Sequence, residues 1–161
     1  MIVGLSIADF TLVHVVISLI AIVSGLVVTI AMIGDRHSAP WTTLFLLTTI
    51  LTSVTGFMFP ADGFSPARAV GLVSLAALAV TLVALYAFRL SGIWRPAYVV
   101  SVVLALYLNC FVLVVQGFQK ISFLQPLAPT QSEPPFKIAQ AAVLIIFIAL
   151  GFFAVRRFRP R

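Results

Sequence analysis

Tyr107–Lys137, YLNCFVLVVQGFQKISFLQPLAPTQSEPPFK, decides how this chain is read. It begins inside an apolar run and carries Asn109, Gln116, Gln119 and Lys120 toward that run's end. It then crosses the one long polar segment of the protein and re-enters apolar sequence at Phe136. An apolar run that ends in amides and a lysine, followed by a proline-rich polar stretch and a second apolar run, is the pattern of two membrane helices joined outside the bilayer.

Composition agrees. The 161 residues are 62% hydrophobic and 9% charged, against about 25% charged for soluble domains. The apolar residues fall into five runs, at about 10–33, 41–59, 67–88, 97–118 and 136–155. Each is close to the roughly 20 residues needed to cross the hydrocarbon core. The expected fold is all-α: a five-span transmembrane helical bundle forming a single integral membrane domain over 1–161, whose first partner is the lipid bilayer. Pro40, Pro66, Pro96 and Pro135 each stand at the start of a run, where a missing N–H costs nothing. Ser6-Ile7-Ala8-Asp9 reads as a helix cap with a carboxylate at the positive end of the dipole, and Ser38 and Ser65 as further caps. Thr130 to Glu133 fits the T-x-x-E capping box.

The net charge of +6 does not indicate nucleic acid, because the basic residues sit at the ends of apolar runs. Arg36, Arg89, Arg95 and the four terminal arginines fall on one side, and Arg68, Lys120 and Lys137 on the other. The positive-inside rule then places the N-terminus outside and the C-terminus in the cytoplasm. The expected location is the cell inner membrane, with the 120–135 loop on the periplasmic side. The N-terminal run lacks a basic n-region and is too long for a signal peptide, so it reads as a retained span.

With that topology the polar residues gather in one half of the bundle. His14, Ser18, Ala21 and Gly25 make one helical stripe, and Ala21 with Gly25 forms a small-xxx-small pair. Thr48, Thr52 and Thr55 make a second stripe. Asn109, Gln116 and Lys120 make a third. A charge at mid-membrane costs about 2.5–3.5 kcal/mol on the insertion scale, so such stripes face inward. The candidate ligand-binding residues are His14, Ser18, Thr52, Thr55, Asn109, Gln116, Lys120, Glu133 and Gln140. His14 is the central one, because an intramembrane imidazole is a functional candidate by default. Glu133 is read as closing a pocket floored by His14 and Asn109, and an ordinary ion pair with Lys120, Lys137 or Arg68 is the plainer account of it. Hydrogen-bonding glue between helices is the plainer account of the threonine stripe.

The chain lacks P-loop, GxGxxG, HExxH and GxSxG motifs. A single cysteine, Cys110, excludes an intrachain disulfide or thiolate cluster. His14 with Met58 is a weak haem pair, and His14 with Ser18 a weak nucleophile pair. No cofactor is named by the sequence. The segments HVVISLIAIVSGL, TTILTSVTGFMFP, YLNCFVLVVQGFQKI and LAPTQSEPPF resemble those of small, uncharacterised bacterial multi-pass inner-membrane proteins. That resemblance implies a bacterial source and adds no catalytic residues.

Three functions fit. The first is binding, in the outer-half pocket, of a small molecule, a lipid or quinone headgroup, or an ion. The second is an accessory subunit whose stripes contact a membrane-protein partner or a second copy of the chain. The third is a membrane-embedded enzyme using His14 as acid or base with Glu133 assisting.

Overall fold

The computed structural model describes residues 1–60, 63 and 65–159. Five helices are long and apolar enough to cross a membrane. They are α1 (Ile7–Ile33), α2 (Ala39–Phe57), α3 (Pro66–Leu82, continued by a π-helical turn Val83–Ala87), α4 (Trp94–Lys120) and α5 (Pro134–Arg157). Among the described residues there is no strand, only a bridge between Ile2 and Leu5.

The helix starts follow local chemistry. Ser6 caps α1: its hydroxyl accepts the Asp9 N–H at 3.1 Å and donates to the Asp9 carboxylate at 2.6 Å. Ser65 caps α3 by accepting the Arg68 N–H at 3.3 Å. Ser38 occupies the cap position of α2 without a side-chain bond. At α5 the expected capping box is displaced. Glu133, rather than Thr130, is the cap residue, and Pro134 and Pro135 form the first turn. The Glu133 carboxylate instead reaches back to the Thr130 N–H at 3.2 Å and the Thr130 hydroxyl at 2.8 Å. Two consecutive prolines fit the first turn, where no N–H is needed, but not a helix begun three residues earlier.

α1, α2, α3 and α4 pack as a ring in which each helix touches the next and α4 closes onto α1, while α5 lies outside against α4 and α1. In lipid the helices gain nothing from apolar burial alone, so close approach and interhelical hydrogen bonds hold the ring. Gly25 is the most tightly packed of the helical glycines. A Cβ built there would lie 2.7 Å from Leu106 Cδ1 and 2.7 Å from the Phe45 ring. The small pair expected on α1 is therefore where α1, α2 and α4 meet, with Ala21 fully buried beside it.

Below Gly25, toward the end bearing Arg95, the ring is filled. Met32, Phe45, Leu78, Tyr98, Val99, Val102 and Leu106 are buried there. Several hydroxyls in this half are spent locally, while those of Thr42 and Tyr98 are buried without a partner. Thr29 donates to Gly25 O, Ser101 to Tyr98 O and Thr81 to Ala77 O, so each satisfies its own helix. Thr81 and Ser101 also lie 2.7 Å apart across α3 and α4, where one of the two hydroxyls gives its proton to the other in place of its own helix.

Arg95 and the chain's C-terminal end lock this end of the bundle. The Arg95 guanidinium donates to Val155 O at 3.0 Å and to Phe158 O. A cation on the last carbonyls of α5 complements the negative end of that helix dipole. The Arg159 N–H donates to Asp35 Oδ1 at 2.6 Å, which joins the end of α5 to the α1–α2 turn. Arg95, read from the sequence only as an orienting charge, is thus also a structural clamp.

Candidate functional site

Above Gly25, toward the Lys120 end, the ring is not filled. α1, α2, α3 and α4 surround a cavity of ≈ 610 Å³, and none of its lining residues comes from α5. Its wall mixes small or polar residues with apolar ones such as Ile22, Phe57, Leu108 and Val112. Gly56, Gly71, Gly117, Ser53 and Ser74 all belong to the wall.

His14, Ser18, Thr52, Asn109, Gln116 and Lys120 line this cavity. Three helices deliver them, and the spacing within each explains why. His14 and Ser18 are one turn apart on α1, and Asn109, Gln116 and Lys120 follow steps of seven and four on α4. Thr55 lies behind the wall and holds His14, its Oγ1 being 2.7 Å from the imidazole Nδ1. The ring is further fixed by an edge contact with Phe59 at 5.2 Å between centroids. Gly56 faces the ring, and a Cβ there would make an ordinary 3.7 Å contact with His14 Cε1.

The hydrogen-bond inventory of the wall is uneven. The Ser18 hydroxyl is consumed by His14 O at 2.7 Å. Ser53 donates to Ser74 at 3.3 Å and joins α2 to α3. The Thr52 hydroxyl is buried and has no partner. The Asn109 amide makes one long side-chain bond, Nδ2 to Thr49 Oγ1 at 3.4 Å, and Gln116 makes one, to Gln119 at 3.4 Å. A primary amide offers two donors and an acceptor with two lone pairs. Most of the hydrogen-bonding capacity of these two residues is unspent.

Two expected site residues lie elsewhere. Gln140 is on α5, behind α4, where its Nε2 donates to Phe111 O at 3.2 Å and its Oε1 is buried without a partner. Glu133 belongs to the loop before α5, and its carboxylate is occupied by Thr130 and by the Ser132 N–H at 3.0 Å. Neither is among the lining residues. The sequence places Gln140 in the first turns of the last span, but the neighbour it turns toward depends on the packing of α5 against α4.

Arg68 enters the sequence reading as an orienting charge and as a possible partner of Glu133, whose carboxylate is instead held by Thr130 and Ser132. It lines the same cavity as Lys120, and its Nη1 donates to Gly63 O at 2.7 Å. Its position in the first turn of α3, beside a wall of Gly71 and Ser74, was the available signal. Cys110, on α4, is half-buried and outside the lining. Among the described residues no group of three His, Cys, Asp or Glu side chains is placed to hold a metal ion.

No protein-family model, curated protein or solved structure matches this chain.

Proposed function

We propose that the chain, a multi-pass membrane protein by its five apolar helices, is a non-catalytic binding protein of the bacterial inner membrane. Its cavity holds a small molecule, a lipid or quinone headgroup, or an ion. In this reading the cavity belongs to the periplasmic half and the 120–135 loop to the same side, which the positive-inside distribution of Lys and Arg supports. One observation carries the reading: the Thr52 hydroxyl and the Asn109 and Gln116 amides converge with His14 on one cavity while most of their donors and acceptors lack protein partners. Polar groups in an apolar setting are costly unless bonded, so their natural complement is a bound polar group. The volume falls within the roughly 300–1,000 Å³ of small-molecule sites.

The test is mass spectrometry of small molecules retained by the detergent-purified protein. His14→Ala and Asn109→Ala each release the bound compound while the helical circular dichroism stays unchanged. Retention of the same compound by both variants would sink the proposal.

The accessory-subunit reading draws on α5. Only Phe147 and Ala154 of that helix are buried, and Ile138, Ile145, Ile148 and Phe152 are exposed. Its free face suits lipid and a partner helix equally. The enzyme reading has the least support, because Glu133, its assisting carboxylate, is held by its own loop.

A further inference from the structure

Among the described residues, the charges of the cavity wall are of one sign. Arg68 from the start of α3 and Lys120 from the end of α4 both line it, and no carboxylate does among the described residues. Asp62, on the α2–α3 connection, lies outside the described residues. Both cations stand at the helix ends nearest the membrane surface, while the polar groups His14, Asn109 and Gln116 follow on deeper turns. A rim of two cations over a hydrogen-bonding wall is suited to an anionic group.

The wall also has an apolar, outward-facing part. Val15, Leu19 and Leu113 line the cavity and yet are 41%, 45% and 46% exposed. The first two are on α1 and the third on α4. Those helices touch where Leu106 meets Gly25, below the cavity. Two of the other three seams are tied at the cavity's level, α1 to α2 by His14–Thr55 and α2 to α3 by Ser53–Ser74, while α3 and α4 are joined below it by Thr81–Ser101. α4 is held there from behind, by Gln131 and Gln140 donating to Val115 O and Phe111 O.

From these placements we infer that the cavity receives an anionic amphiphile from the bilayer. Its acidic headgroup lies between Arg68 and Lys120, and its hydrocarbon chain leaves between α1 and α4 past Val15, Leu19 and Leu113. The shared chemistry is one anionic group on an acyl chain, whether a phospholipid or a fatty acid supplies it. The inference rests on the cavity being a binding site and adds the ligand's charge and its route.

The test is native mass spectrometry of the purified full chain titrated separately with dioleoylphosphatidylglycerol, dioleoylphosphatidylcholine, oleate and inorganic phosphate. The expected result is retention of phosphatidylglycerol or oleate over phosphatidylcholine by about tenfold, the scale of one charge-assisted hydrogen bond. Arg68→Gln and Lys120→Gln each erase that preference. Arg68→Lys keeps it, and Lys137→Gln, a basic residue outside the lining, leaves it unchanged. Leu113→Trp lowers retention of every lipid by closing the gap. The relative strength of the two anionic arms identifies the source. Equal retention of both phospholipids, lowered alike by His14→Ala, overturns the anionic assignment and leaves the binding site standing. Displacement of lipid by inorganic phosphate overturns the amphiphile in favour of a soluble anion. An equal effect of Lys137→Gln overturns the two-cation rim in favour of diffuse surface charge. Absence of any retention that depends on His14 overturns the inference and the binding function together. Monodisperse elution and unchanged circular dichroism establish folding for each variant. Where Arg68→Gln fails that control, Lys120→Gln with Arg68→Lys decides.

Discussion

His14 Nδ1 and Thr55 Oγ1 are 2.7 Å apart, and the Thr55 hydroxyl proton is already directed at Leu51 O, 2.6 Å away. A threonine hydroxyl has one proton. With that proton on Leu51 O, the imidazole is the donor in this pair and Thr55 the acceptor, the arrangement with a proton on Nδ1 and a lone pair on Nε2 that Thr55→Val tests. The hydrogen-bond network thereby selects a tautomer. A ligand hydroxyl or N–H is the partner that such a nitrogen takes.

Thr55→Val keeps the shape of the side chain and removes the acceptor. The expected outcome is a mixture of both imidazole tautomers, read from nitrogen-15 chemical shifts of His14, against a single Nδ1–H form in the parent. The stability change is small, on the order of 0.6 kcal/mol, the average for interhelical hydrogen bonds in membrane proteins. A ring that stays in the Nδ1–H form after the substitution shows that Thr55 does not set it.

Gly25→Val places a branched side chain where even one added carbon would sit 2.7 Å from Leu106 and Phe45. Overpacking of this kind costs about 1–3 kcal/mol. The expected readout is a lowered unfolding midpoint in a detergent titration. Gly56→Ala is the contrasting case: its new carbon would make an ordinary 3.7 Å contact with His14, and the midpoint stays near the parent value.

Glu133 makes the loop before α5 sensitive to acid. The Thr130 hydroxyl, with the Thr130 and Ser132 N–H groups, holds its carboxyl below the usual value, against a smaller opposing effect of burial. A depressed folded value means the loop's stabilisation is complete above the ordinary carboxylate range and is lost as pH falls through the lowered value. Amide exchange at Thr130 and Ser132, corrected for its intrinsic pH dependence, is expected to quicken over that acidic window and not near neutrality. In Glu133→Gln the window is absent. A parent protein whose corrected exchange is flat across it refutes the assignment.

Arg95→Ala removes the donor that closes the end of α5. Hydrogen bonds to a charged group contribute about 1.5–3 kcal/mol. The expected outcome is earlier proteolytic cleavage after Arg156 or Arg157, with the rest of the bundle intact. Arg95→Lys restores part of the protection, because one ammonium cannot reproduce a guanidinium's fork.

The orientation is tested by cysteine labelling. In a Cys110→Ser background, Ser122→Cys is expected to react with an impermeant maleimide in intact spheroplasts and Ser91→Cys only after lysis. The reverse pattern turns the topology over and places the cavity in the cytoplasmic half.

Much of this could be read from the chain. Hydrophobic run length specifies the five helices, since a backbone in lipid must satisfy its own hydrogen bonds and the helix does so locally. Prolines and serines mark the helix starts for the same local reason, although at α5 the double proline moved the cap from Thr130 to Glu133. Helical spacing put His14 with Ser18, and Asn109 with Gln116 and Lys120, on single faces, and each of those faces lines the cavity. What spacing does not contain is the neighbour opposite. Gln140 shares its amide chemistry with Gln116, yet α5 packs outside the ring and turns it to Phe111. Arg68, from a different helix, ends at the same cavity as Lys120. Which helix adjoins which and where they touch at Gly25 depend on contacts between residues distant in the chain. The sequence by itself therefore determined the spans and their faces. Only the tertiary packing decided that residues of three of those faces, with the start of α3, line one cavity.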